Sequence, residues 1–166
     1  VEEGLSVGGV LEGGVRSGRI RYDMTELHEE ILEQFGMEPA DLRTYSPLAL
    51  AFLGDSVYST IIRTIVTGRC SRQAEKLHNE ASRLVSAGAQ AKAADAILPA
   101  LTAEEAAIYR RGLNSHPAHM AKNQSAEDYL KATALEALAA YLYMSGQQTR
   151  LVSLVRQGLM DAGLWK

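Results

Sequence analysis

Two acidic residues stand where helical spacing would ordinarily place apolar ones. In FLGDSVY, residues 52–58, Asp55 shares a helical face with Leu48, Ala51, Phe52, Tyr58, Ser59 and Ile62, the neighbours three, four and seven residues away. In YLKATALEALAAYLY, residues 129–143, Glu136 shares a face with Tyr129, Ala132, Thr133, Ala139, Ala140 and Tyr143. A carboxylate within an apolar stripe needs a partner or a metal to offset its desolvation. Gly54, which weakens a helix by about 1 kcal/mol relative to alanine, would let another backbone or a ligand come close. One acid on each of two helices suggests a pair converging on a hard divalent cation. Mg²⁺ suits such a pair because it takes oxygen ligands, keeps several waters and completes its octahedron with phosphate oxygens. Spacing alone leaves a second account open, in which each acid pairs with an arginine or caps a neighbouring helix.

Other residues have the chemistry to hold a phosphate backbone. YRRGLN, residues 109–114, sets Arg110 and Arg111 at a helix end with Asn114 just beyond, and AKN brings Lys122 and Asn123 across the following loop. Arginines, a lysine and amides at a loop mouth can grip phosphate and ribose oxygens without reading bases. LHNEASR, residues 77–83, adds His78 and Arg83 on a helix that could face the same groove. The competing reading is a helix C-terminus neutralised by basic residues and a structural histidine. No glycine-rich phosphate loop with GK[ST], no G-x-S-x-G and no H-E-x-x-H is present, so those nucleotide, hydrolase and zinc-protease chemistries are not expected. The loop histidines His116 and His119 lack metal-ligand spacing, and Cys70 reads as an ordinary thiol.

The charge distribution permits a nucleic-acid partner without demanding one. Residues 1–45 hold ten acids against four basic residues, leaving ten acids against thirteen basic residues in 46–166. The main body is therefore modestly basic although the whole chain carries −3, which allows a local phosphate-binding patch. With 46% hydrophobic and 22% charged residues the composition is that of an ordinary globular protein, and one domain is expected at this length. The lone cysteine and the absence of a secretory pattern lead us to expect a cytoplasmic protein with no membrane partner.

These residues must be positioned by helices. Residues 1–23, rich in glycine and without sustained periodicity, read as a flexible leader or an expression remnant, and a single domain is expected over 24–166. A peripheral acidic helix is predicted from Glu26 to Gln34 after Thr25, ending at Gly36. The next starts at Ser46 with Pro47 in its first turn and stops at Gly68. Ser71 is expected to cap a helix through Val85, and Ser86 to restart one toward Ile97, with Pro99 ending it. Thr102 opens a helix with Glu104 and Glu105 in its first turn and Arg110 and Arg111 in its last, ending at Gly112. A polar loop from Leu113 to Ser125 leads to a long helix from Ala126 to Ser145 and a last one from Thr149 to Ala162. No strand is predicted, so the fold class is all-α.

Taken in order, LALAFLGDSVY, LHNEASRLVSAGAQA, LTAEEAAIYRRGLN, KN and YLKATALEALAAYLY resemble the Mini-III branch of the ribonuclease III family over roughly Ser46 to Arg156. That resemblance implies an all-α ribonuclease III-type endonuclease domain, a helical bundle that forms a homodimer and cleaves double-stranded RNA with Mg²⁺ or Mn²⁺. Asp55 matches the signature aspartate and Glu136 the metal-binding glutamate of the second motif, which makes them the catalytic candidates. Full-length ribonuclease III carries glutamates where this chain has Ala51 and Leu48, and an aspartate where it has Thr133; Mini-III is similar to this chain in those departures. The family's RGRN motif is RGLN here, with Leu113 in place of an arginine. No separate RNA-binding domain is expected after Lys166. Implied partners are double-stranded RNA in the form of a large-subunit ribosomal RNA precursor, a second copy of the chain, and a ribosomal protein. Two readings from other classes compete: a non-catalytic RNA-binding or ribosome-associated helical module, and a helical metal-dependent nucleotide pyrophosphatase, the latter disfavoured by offering one acid per motif.

Overall fold

A computed structural model describes residues 27–69, 73–116 and 125–166. Among the described residues the chain forms seven α-helices and no strand: α1 (Leu27–Gln34), α2 (Pro47–Arg69), α3 (Ala74–Val85), α4 (Ala87–Ile97), α5 (Ala103–Leu113), α6 (Ala126–Met144) and α7 (Gln148–Asp161). Single turns of 3₁₀ helix lie at Leu42–Thr44 and Leu98–Ala100. The caps at Thr25 and Ser71 and the loop residues 117–124 lie outside the described residues.

Most starts follow side-chain chemistry. The Ser46 hydroxyl accepts from the Ala49 N–H, Ser86 from Ala89 and Ser125 from Asp128, each satisfying a donor that the first helical turn leaves unpaired. Thr102 and Glu105 form a reciprocal capping box on α5, worth about 1 kcal/mol by analogy with single caps. Glu105 does more than favour the helix dipole: it is 3% exposed, and Arg150 of α7 pairs with it at 2.7 Å while donating to the Ala100 carbonyl. This charge-assisted contact ties α5 to α7, and the Arg150 guanidinium holds the Glu105 carboxyl below its usual range.

Two expected stops are corrected. α2 continues through Gly68 to Arg69, and α5 continues through Gly112 to Leu113. Gly36 and Gly146 do end their helices, with φ of 60° and 73°, the left-handed conformation that favours glycine.

α6 is the axis of the bundle, packed by α2, α4, α5 and α7. Its run Ala132–Leu135, Ala137–Ala140 and Leu142 is buried, and the small residues let neighbouring helices approach closely, since interaxial distance follows side-chain size. The main core joins Tyr58, Ile62 and Val66 of α2 to Leu84, Ile97, Leu138, Leu142, Leu154 and Leu159. Leu50 and Ala51 pack separately on Ala137 and Ala140. α2 is long and apolar enough to cross a membrane by length and composition alone, yet Leu50, Tyr58, Ile62 and Val66 face this core and the helix carries Asp55 and Arg63. α1 buries none of its residues and touches the body through an edge-on contact of His28 with Tyr143.

Candidate active site

Gly54 decides how α2 meets α6. A Cβ built at this position would lie 1.7 Å from the Glu136 carbonyl oxygen, well inside atomic contact, so only glycine permits this crossing. The expectation that Gly54 admits another backbone holds, and that backbone belongs to Glu136 itself. Because Asp55 follows Gly54 directly, the crossing brings the two acids together. The charge of Asp55 acts on Glu136. Neither acid has an arginine or lysine partner among the described residues, which removes the alternative of ion-paired acids.

The two acids differ in setting. Asp55 is exposed, as are Leu48 and Phe52 beside it. This corrects the expectation that Asp55 lies in a core stripe: Ala51, Tyr58 and Ile62 of that stripe are buried with Leu50, Gly54 and Val66, while Asp55, Leu48 and Phe52 lie open along its edge in a single chain. Glu136 is partly buried, and that burial, followed by the negative charge of Asp55, pushes its carboxyl up to about 7, against a smaller opposing contact from Gln90.

A titration follows from this. The folded chain without a cation keeps the Glu136 proton to about pH 7, whereas the unfolded chain releases it near 4.5. Between those values the unfolded state binds fewer protons, so stability is greatest below the lower one, declines as pH rises and levels off above the higher. In EDTA, urea denaturation should show wild-type stability declining by on the order of 2 kcal/mol from pH 5 to 8, while Glu136→Gln loses most of that slope. Equal slopes in the two proteins would show that Glu136 is not held protonated by its surroundings.

The donor set fits a hard cation. Among the described residues no group of three or more His, Cys, Asp or Glu side chains could hold a metal ion, so a metal here would rest on two carboxylates. Mg²⁺ tolerates this because it retains several waters and takes phosphate oxygens. Two facing carboxylates without a basic partner carry repulsion that a bound cation would reverse.

The basic end of α5 reaches the same stretch of α6. A Cβ at Gly112 would lie 2.5 Å from the Ala134 Cα, so α5 crosses α6 two residues from Glu136. Gly112 is a contact glycine rather than a helix stop. Arg110, Arg111 and Asn114 are exposed at this end; Arg111 donates to the Tyr45 carbonyl just before α2, and the Asn114 backbone caps α5. His78 is exposed on α3 and lines a shallow pocket with Arg63 and Thr67. Arg83 is already engaged, with Glu80 at 2.6 Å and the Leu164 carbonyl at 3.4 Å. Lys122 and Asn123 lie outside the described residues. Spacing did not single out Tyr58 or Gln90, both buried near Glu136.

A family model for the ribonuclease III domain matches residues 48–147, a span that holds both acids and both glycine crossings. The chain belongs to the ribonuclease III family. It is 42% identical over 112 residues to a Mini-ribonuclease 3 of Brevibacillus brevis, covering 68% of this chain and 84% of that one. A Mini-ribonuclease 3 of Symbiobacterium thermophilum is 37% identical over 120 residues, covering 72% and 92%. Among solved structures, a Fusobacterium nucleatum protein superposes with a TM-score of 0.64 at 27% identity, covering 70% of this chain and 93% of that one. These matches put the chain on the Mini-ribonuclease 3 branch and make its helical body an endoribonuclease domain.

Proposed function

We propose that this chain is a homodimeric, cytoplasmic endoribonuclease that hydrolyses double-stranded RNA with Mg²⁺ or Mn²⁺, its natural substrate a large-subunit ribosomal RNA precursor. The observation that carries this reading is the crossing at Gly54, which sets Asp55 and Glu136 together without a basic partner. Asp55 and Glu136 would hold the cation, which supplies a water of lowered pKa and charge stabilisation at a phosphate. Arg110, Arg111 and Asn114, one crossing away on α6, would grip the RNA backbone, with Lys122 and Asn123 from the loop. His78, beside Arg63 and Thr67 on α2, would add a contact of its own, while Arg83, paired to Glu80, contributes less charge. A-form RNA hides its base edges in a deep major groove, so such contacts would recognise shape and 2′-hydroxyls. Cleavage of a labelled, fully paired RNA with Mg²⁺ and its loss in EDTA test this reading; a protein that binds the duplex and never cuts it would instead be a non-catalytic module.

Dimerisation is supported by what α2 leaves uncovered. Phe52 is 86% exposed and Leu48 is 39% exposed, beside an apolar groove of about 330 Å³ lined by Leu27, Leu53, Val57, Ile61 and Val152. Exposed apolar surface next to a catalytic pair marks an interface, and a two-fold there would give two sites for two strands. Phe52→Asp should convert the dimer to a monomer by light scattering at micromolar concentration. A wild-type monomer would remove the paired-cut arrangement.

A further inference from the structure

Three side chains on α2 and α3 carry hydrogen-bond donors that the fold does not use. The Arg63 guanidinium, the Thr67 hydroxyl and the His78 imidazole have no hydrogen bond or ion pair among the described residues. Similar groups elsewhere are occupied. Arg43 pairs with Asp41, Arg83 with Glu80 and Arg150 with Glu105, while Thr60 and Thr64 donate to the carbonyl four residues earlier on the same helix. The unused groups line one pocket of about 240 Å³ between α2 and α3, over an apolar floor of Val66, Leu77 and Ala81. No carboxylate lines it. A guanidinium beside a hydroxyl and an imidazole, which donates from at least one ring nitrogen in either charge state, is a donor set for an oxyanion. Arginine suits phosphate in particular because its fork can donate two parallel bonds.

The place of this pocket ties it to the acidic pair. Asp55, Ser59, Arg63 and Thr67 follow at four-residue intervals, so they form a single ridge along α2. Asp55, Arg63 and Thr67 are exposed on that ridge and Ser59 is half-buried. From Asp55 to Arg63 the helix rises about 12 Å, which a nucleic-acid strand covers in a few nucleotide steps. α3 packs against α2 and brings His78 to the far end of the ridge.

We propose that this pocket is a subsite for one phosphate of the RNA strand, a few nucleotides from the bond that is cut, with Arg63 as its principal contact and Thr67 and His78 flanking it. This rests on reading the chain as an RNA endonuclease with Asp55 at the cut. Arg63 positions the strand and takes no part in the chemistry.

The test pairs protein variants with RNA duplexes in which one phosphate at a time is replaced by an uncharged methylphosphonate. Binding is measured in EDTA over a range of salt, and cleavage in Mg²⁺ locates the cut. Arg63→Ala should bind the unmodified duplex about tenfold more weakly, with a salt slope smaller by about 1. Helix content should not change, because Arg63 is exposed and unpaired among the described residues. Arg63→Lys, which keeps the charge, should recover much of the loss, and Thr67→Val and His78→Ala should each lose less than Arg63→Ala. At one position, neutralising the phosphate should weaken wild type by a similar factor and leave Arg63→Ala unaffected, since two changes to one contact do not add. Arg63→Ala with wild-type binding and salt slope, or losses that add at every phosphate, would overturn the subsite and leave the nuclease reading standing. A wild type that binds the duplex through Arg63 and never cuts it would sustain the phosphate contact and overturn the nuclease reading. A wild type that binds no duplex would overturn both.

Discussion

Asp55→Asn and Glu136→Gln should each lower cleavage of a paired RNA by on the order of a thousandfold or more, because a metal's electrostatic contribution is several kcal/mol and each 1.36 kcal/mol is tenfold in rate. Helix content should not change. Asp55 is exposed and Glu136 has no ion pair to break among the described residues, so neither amide leaves a buried charge unmatched. Glu136→Gln should even be more stable than wild type in EDTA above pH 7, where the wild-type acid is forced to ionise beside Asp55. Stability and activity thus move in opposite directions, which separates a ligand from a structural acid. Single-turnover cleavage measured with urea denaturation on the same preparations reads both. Activity within tenfold of wild type in both variants would mean that these acids do not carry the chemistry.

Gly54→Ala should be as damaging by a different route. The added methyl would sit 1.7 Å from the Glu136 carbonyl oxygen and 2.5 Å from its carbonyl carbon. Both are backbone atoms of a helix buried on several sides, so nothing flexible can give way. α2 and α6 must separate along the whole crossing, loosening Tyr58 and Ile62 from their core contacts. Overpacking costs about 1–3 kcal/mol in ordinary cores, and a backbone clash of this depth belongs at or above the top of that range. Gly68 is the control: it lies in the same helix with nothing within 4 Å of its added Cβ. Gly68→Ala should stabilise by up to about 1 kcal/mol through helix propensity. Urea midpoints for the pair give the contrast, and equal midpoints would mean that the crossing is not as close as described.

Tyr58 and Gln90 show how polar groups cluster beneath this crossing. The Tyr58 hydroxyl is buried without a partner among the described residues, and its ionisation is opposed first by burial and then by the charge of Glu136. α2 therefore supplies an exposed acid and, one turn on, a buried phenol, both in the electrostatic reach of one glutamate.

Much of the bundle was legible in local chemistry. Ser46 with Pro47, Ser86, Thr102 with Glu105, and Ser125 each mark a helix start, because the groups that satisfy a first turn are adjacent in sequence. The two acids were legible as well, since helical spacing shows a charge among apolar neighbours wherever it occurs. Spacing could not say which of two apolar stripes on α2 faces the core. Leu48 and Phe52 have the period of buried residues and lie open, because period defines a face and only a packed neighbour defines an inside. Gly112 likewise reads as a helix stop from its position and becomes a contact once α6 lies against it. The amino-acid sequence by itself determined the helices and the caps at Ser46, Ser86, Thr102 and Ser125, and it marked Asp55 and Glu136 as the two acids set among apolar neighbours. The tertiary structure alone decided that Gly54 meets the Glu136 backbone, that Gly112 meets Ala134 and that Arg150 crosses to Glu105, because each joins residues from separate helices, and local spacing carries no information about which helices meet.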